Sequence, residues 1–165
     1  MNDVTRYPRF WIVAAAAFCL LAWMALGAPA AEPGAAAMRI AQDDASVTVS
    51  AGGKQVLVYR FGGVPMKPYV QQLSTPAGVQ VLRDSPHDHK HHHALMFAIG
   101  IDGVDFWSEN PKCGRQVHRN LEGVKSTATG GTARAGFTEQ LDWVAPGAEK
   151  PLATERRTIR VVKPA

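Results

Sequence analysis

Turn residues recur in pairs along this chain, and that punctuation constrains the fold more than any other feature. Gly52-Gly53, Gly62-Gly63, Thr75-Pro76-Ala77-Gly78, Asp102-Gly103, Gly130-Gly131 and Pro146-Gly147 divide everything after about residue 45 into short runs. Each is a pairing that favours a tight turn by supplying φ > 0 or a pre-set proline φ. The intervening runs read as strands. Val47 and Val49 alternate with Thr48 and Ser50, and residues 55–61 are rich in branched and aromatic side chains. Further strands are expected at 69–73, 79–82, 95–101, 104–107, 116–119, 122–128, 133–143 and 154–162. No segment after residue 45 carries a sustained helical apolar stripe, so the chain is predicted to be all-β, a β-sandwich or barrel. The last strand runs almost to the final residue without a closing partner. Because sheet edges must be paired or protected, either it is an edge or the domain is incomplete at its C-terminus.

The first 30 residues predict an export signal. Arg6 and Arg9 supply a positive start, residues 10–26 an apolar run, and Ala28-Pro29-Ala30 a small-residue cleavage site. An uncleaved membrane anchor is the alternative, with the apolar run at the short limit of a bilayer span. The expected location is periplasmic or secreted. Residues 31–44 read as a small-residue linker and 45–165 as one domain. Without Arg6, Arg9 and Asp3 the net charge falls from +4 to +3, and the basic residues are scattered, so a nucleic-acid partner is not implied. Cleavage leaves Cys113 as the single cysteine, so no internal disulfide can form.

Five of the six histidines fall between His87 and His93, with Asp84 and Asp88 interleaved. Imidazole changes charge near neutral pH and binds transition metals, so this is where chemistry is expected. If the run leads in extended geometry into a strand at Leu95, then His87, His89, His91 and His93 share one side. Leu95, Phe97, Ile99 and Ile101 continue in that phase, while Met96 and Ala98 are apolar on the reverse. The strand is therefore expected to be buried on both faces, with the histidines at its mouth.

Three readings are open. His89 and His91 with Asp84 or Asp88 suit a Zn, Cu or Fe site, making a divalent transition metal the candidate cofactor. Alternatively His89, His91, His92 and Asp88 form a metal-free pocket for a polyhydroxylated, carbohydrate-like ligand, one imidazole acting as general acid or base. In the third, the run is a solvated loop. Nearby, Asp105 and Trp107 follow the Asp102-Gly103 turn and would bind sugar hydroxyls and stack on a ring; a hairpin tip leading into aromatic core explains them equally well. Asp84 and Tyr69 complete the candidate ligand-binding set. Lys67 and Arg83 have no spacing that assigns them, and Glu109, Glu139 and Asp142 are carboxylates with no pattern to pair them. There is no Gly-rich phosphate loop, serine nucleophile elbow or paired CxxC motif.

Asp84-x-Pro86-x-Asp88-His89-x-His91-His92, running through Leu95 into Asp102-Gly103-Val104-Asp105-Phe106-Trp107, resembles the bacterial PmoA-like domain family. Lys67-Pro68-Tyr69-Val70, Thr75-Pro76-Ala77-Gly78, Trp143-Val144-Ala145-Pro146-Gly147 and Glu155-Arg156-Arg157-Thr158 extend the resemblance over about residues 45–162. His93 and Ala94 depart from the usual Arg and small residue. The resemblance implies an exported domain like part of the galactose-mutarotase-like supersandwiches, running on past residue 165. It implies no oxygenase activity, since a membrane monooxygenase subunit needs several apolar spans.

Overall fold

The computed structural model describes residues 38–164. The leader and the cleavage site expected at residues 1–30 lie outside the described residues, as does the first half of the expected linker. No helix among the described residues is long and apolar enough to cross a membrane.

The described residues form nine strands in three antiparallel sheets, with no helix. The first sheet is a meander of β1 (Met38–Gln42), β2 (Ser46–Ala51), β3 (Lys54–Arg60) and β4 (Tyr69–Leu73). A small hairpin joins β5 (Gly100–Ile101) to β6 (Val104–Asp105). The third sheet joins the long strands β7 (Arg115–Thr129), β8 (Thr132–Val144) and β9 (Ala153–Lys163) in sequence order. β1 therefore occupies part of what reads as linker.

The turn chemistry acts as expected. Gly52 and Gly53 take φ of 58° and 77°, Asp102 and Gly103 49° and 78°, and Gly130 and Gly131 56° and 77°. Positive φ at both central residues is the geometry whose twist matches paired strands, so each two-residue loop closes a hairpin. The β1–β2 loop uses side-chain chemistry instead: the Ala45 and Ser46 amides donate to Asp43 Oδ1 at 2.8 and 2.7 Å.

Alternation places one face of each large sheet inside. Val47 and Val49 on β2, Val56, Leu57 and Tyr59 on β3, and Val70 on β4 share a single apolar cluster with Ala133, Ala135 and Phe137 of β8. A smaller aromatic group flanks it, with Phe106 4.9 Å and Phe97 5.8 Å from Trp143 between ring centroids. Gly114 passes so close to Phe106 that a Cβ there would lie 2.3 Å from its ring. Only glycine fits.

Two expected strands are corrected. Residues 79–82 do not form one: Ser74 and Gln80 make an isolated bridge, and Val79 and Val81 are exposed. Residues 95–99 are not a doubly buried strand either. Leu95 bridges only Val70 at the edge of the first sheet, and Leu95, Phe97 and Ile99 stay 53%, 52% and 47% exposed. The two strands expected at 116–119 and 122–128 are one continuous β7, with register shifts at His118/Asn120 and Glu122/Lys125.

Candidate functional site: the histidine loop and its buried supports

The histidine run is a turn, not an extended segment. Pro86 fixes the approach. The His89 amide donates to Pro86 O at 2.9 Å, the His92 amide to His89 O at 2.9 Å, and the Ser85 amide closes the loop on His92 O at 3.0 Å. The expected alternation of His87, His89, His91 and His93 onto one side is therefore corrected: consecutive turns rotate the side chains apart. His93 goes inside, while His87 and His89 remain exposed.

Below the loop lies a row of charged and polar groups. Lys67, immediately before β4, donates from Nζ to Glu109 Oε1 at 2.6 Å, and His93 Nε2 lies 2.9 Å from the same oxygen. On its other side His93 Nδ1 lies 3.1 Å from Asp84 Oδ1 and 3.0 Å from Ser85 Oγ. Tyr69 stacks on the imidazole at 4.3 Å and donates its hydroxyl to Asp84 Oδ2 at 3.1 Å; Gln71 Nε2 donates to that oxygen at 3.3 Å. Burial raises the Asp84 carboxyl, but hydrogen bonds from His93, Gln71, Tyr69 and Ser85 outweigh it and hold it below the ordinary range. Burial, then the Asp84 charge, pushes the Tyr69 phenol up to about 12.

Ser85 adopts φ of 45°, a left-handed conformation uncommon outside glycine. Its amide bond to His92 and its hydroxyl contacts to Asp84 and His93 hold it there.

Above this row, three imidazoles gather at the surface. Ring centroids lie 6.2 Å apart for His89 and His91, 4.7 Å for His89 and His92, and 4.4 Å for His91 and His92. The half-exposed Trp107 meets His92 edge-on at 5.7 Å. Asp88 Oδ2 lies 3.1 Å from His89 Nδ1, which leaves Nε2 as that ring's outward nitrogen. The Asp88 carboxyl is lowered by its own amide and then by His89. Partial desolvation, then His91 and His89, lowers His92. The cluster thus offers ring nitrogens, a carboxylate and an aromatic face to solvent, in reach of proton transfer and hydroxyl recognition.

Of the residues expected from sequence, His89, His91, His92, Asp88 and Trp107 come together at this rim, while Asp84 and Tyr69 belong to the buried row beneath it. Asp105 closes the turn after β6, accepting the Trp107 and Ser108 amides at 2.6 and 3.2 Å. Those bonds, with the Ser108 side chain first, hold its carboxyl at about 2. Asp84 faces His93 rather than a His89–His91 pair, and among the described residues no group of three His, Cys, Asp or Glu side chains is arranged to hold a metal ion. His93, Glu109 and Lys67 carry the row and were not assigned by sequence pattern. The available signal was Lys67 itself, a lysine in the apolar run Met66-Lys67-Pro68-Tyr69-Val70, which needs a carboxylate partner once buried.

A second buried network lies between the two large sheets. Glu139 sits in the apolar row of β8, accepting from the Tyr59 hydroxyl and lying 2.6 Å from His118 Nδ1. Burial raises its carboxyl despite those bonds. Arg157 of β9 donates to Tyr59 Oη at 3.1 Å, Pro68 O at 3.0 Å, Gln116 Oε1 at 2.9 Å and both oxygens of Glu155 at 2.7 and 2.9 Å. All five guanidinium N–H groups are occupied, so this network is fully engaged by the fold.

No curated protein and no solved structure matches the chain. The resemblance to the PmoA-like family is corrected by the comparison with known families, in which no such link is found and a different description matches residues 46–165. On that match, which spans most of the chain, the protein belongs to the family of unknown function DUF6807.

Proposed function

We propose that the chain is an exported, open β-sandwich domain that binds a polyhydroxylated, carbohydrate-like ligand at the rim formed by His89, His91, His92, Asp88 and Trp107. The observation that carries this reading is the Asp88–His89 contact at 3.1 Å beside two further imidazoles and the half-exposed ring of Trp107. Aromatic faces stack on the apolar side of a sugar ring, while carboxylate and imidazole groups exchange hydrogen bonds with its hydroxyls. Asp88 selects the tautomer in which His89 Nδ1 is the donor, leaving Nε2 to accept or return a proton at a ligand hydroxyl. The buried row of Lys67, Glu109, His93 and Asp84 holds the loop in place and supports the rim from below.

A divalent transition metal is the second reading, on the closeness of the His89, His91 and His92 rings; since no three side chains among the described residues are arranged to hold an ion, the rings would have to turn to bind one. Titration calorimetry against a panel of neutral saccharides, and separately against Zn²⁺, tests both. The expected result is saccharide binding that His89→Ala/His91→Ala weakens at least tenfold with the unfolding midpoint unchanged. Undiminished saccharide affinity in that variant refutes the site. Zn²⁺ binding lost in the variant, with no saccharide binding to the parent, puts the metal reading in its place.

A further inference from the structure

The long edge strand β9 has one hydrogen-bonded neighbour, β8, among the described residues. Its side chains alternate strictly: Glu155, Arg157, Ile159 and Val161 face inward and are only half-buried, while Arg156, Thr158, Arg160 and Val162 face outward and are exposed. Across from it, β4 is the edge of the first sheet and bridges beyond β3 only at Leu95. Between the two edges runs a cleft of about 660 Å³, walled by Leu57, Val70, Leu73, Leu95 and Phe97 on one side and Ile159 and Val161 on the other. A second cleft of about 370 Å³ continues it past Met38 and Val56, sharing Leu73, Val161 and Val162. The apolar gap therefore follows the free edge of β9 along its C-terminal half.

The outer side of the same edge has a definite charge. Lys125, Arg134 and Arg160 surround a third cleft of about 310 Å³ floored by Gly136 and Thr138. The carboxylate at that cleft, Glu122, is already engaged by Arg156 at 2.8 Å and Gln140 at 2.8 Å. The three cations are left facing solvent beside the edge.

From the gap, the unpaired edge and the flanking cations together we infer that β9 is a docking edge for an extended segment of a partner polypeptide. The segment adds as a strand of about five or six residues, the usual strand length, along Thr158–Lys163. Its inward side chains are apolar and fill the gap against Ile159, Val161, Leu73 and Phe97. Its outward side chains are acidic and lie beside Arg160 with Arg134 and Lys125 behind. Main-chain hydrogen bonds to the free edge supply affinity; the two faces supply selectivity. A second copy of β9 paired antiparallel about Thr158 would set Arg156 against Arg160 on the same face, twice.

Fluorescence anisotropy on the full chain, with a fluorescein-labelled ten-residue peptide alternating valine and glutamate as probe, tests this. Saturable binding is expected, lost when proline replaces the central valine. Because Arg160 is exposed, Arg160→Glu leaves the core untouched; it should weaken the glutamate peptide about three- to tenfold and gain as much for a valine–lysine peptide. No saturable binding, or binding indifferent to either reversal, overturns the inference. So does a dimer of the unliganded chain in sedimentation equilibrium that excludes the peptide, since the edge would then be taken by a second copy.

Discussion

Replacing Lys67 with methionine isolates the value of the buried row beneath the histidine loop. The Lys67 side chain is 0% exposed and its partner Glu109 12% exposed, with Nζ 2.6 Å from Oε1. Methionine keeps most of the stem's packing and deletes the ammonium, so the change leaves a nearly buried carboxylate with only His93, 2.9 Å away, to answer it. Breaking one side of a buried ion pair costs about 3–5 kcal/mol, because the uncompensated charge remains desolvated. Against a total stability of about 5–15 kcal/mol that is a large fraction. For a domain of this size it corresponds to a fall of about 10–20 °C in unfolding midpoint. Urea unfolding followed by tryptophan fluorescence reads it, with the buried Trp143 as reporter. The double variant Lys67→Met/Glu109→Gln removes the stranded charge and should recover more than half of the loss. A single-variant loss below about 1 kcal/mol, the range of exposed pairs, would refute the reasoning, as would a double variant less stable than the single.

Two carboxyls, the half-buried Asp84 and the buried Glu139, should move stability with pH in opposite senses. Asp84 is held below its ordinary 3.8, so its contribution is complete above that value and is lost as pH falls through it. The stability gap between wild type and Asp84→Asn, measured by urea midpoint, should be full at pH 6 and close below pH 3.8. Glu139 is raised above its ordinary 4.5, so the folded state binds the extra proton and stability falls as pH rises past that value; Glu139→Gln should flatten that fall, and an unchanged slope would refute the assignment. Gly114→Ala forces a methyl to 2.3 Å from the Phe106 ring and should cost about 1–3 kcal/mol with loss of near-ultraviolet dichroism; an unchanged spectrum would mean that Phe106 moves freely.

What was legible in the sequence was local. Gly52-Gly53, Asp102-Gly103 and Gly130-Gly131 announce hairpins because positive φ is a property of the residues themselves. The alternation of Val47 and Val49, and of residues 133–143, announces which face is inside. Residues 79–82 and 95–99 have equally good strand composition, yet composition does not say whether a partner strand lies alongside. The histidine rim was found because its members are neighbours in the chain. Its supports were not, because Lys67 reaches Glu109 across 42 positions and His93 reaches it across 16. Glu139 was visible in principle: the same alternation that buries Phe137 and Leu141 buries the carboxylate between them.

The meeting of Tyr59, Glu139 and Arg157 also bears on how the chain finds its alignment. Each large sheet is a sequential meander, so its ladders form between near neighbours, whereas Tyr59 meets Glu139 and Arg157 across 80 and 98 positions. Loop closure over such distances is late and slow. An apolar row tolerates displacement of one sheet over the other, since valine and phenylalanine accept many neighbours. A single carboxylate in that row does not. If the first sheet slides by one residue over the third, Tyr59 moves out of reach of Glu139, and the carboxylate is left desolvated with half its partners gone. The polar trio thus acts as a proofreading device for docking: it adds little to the stability of the correct arrangement and penalises every other one.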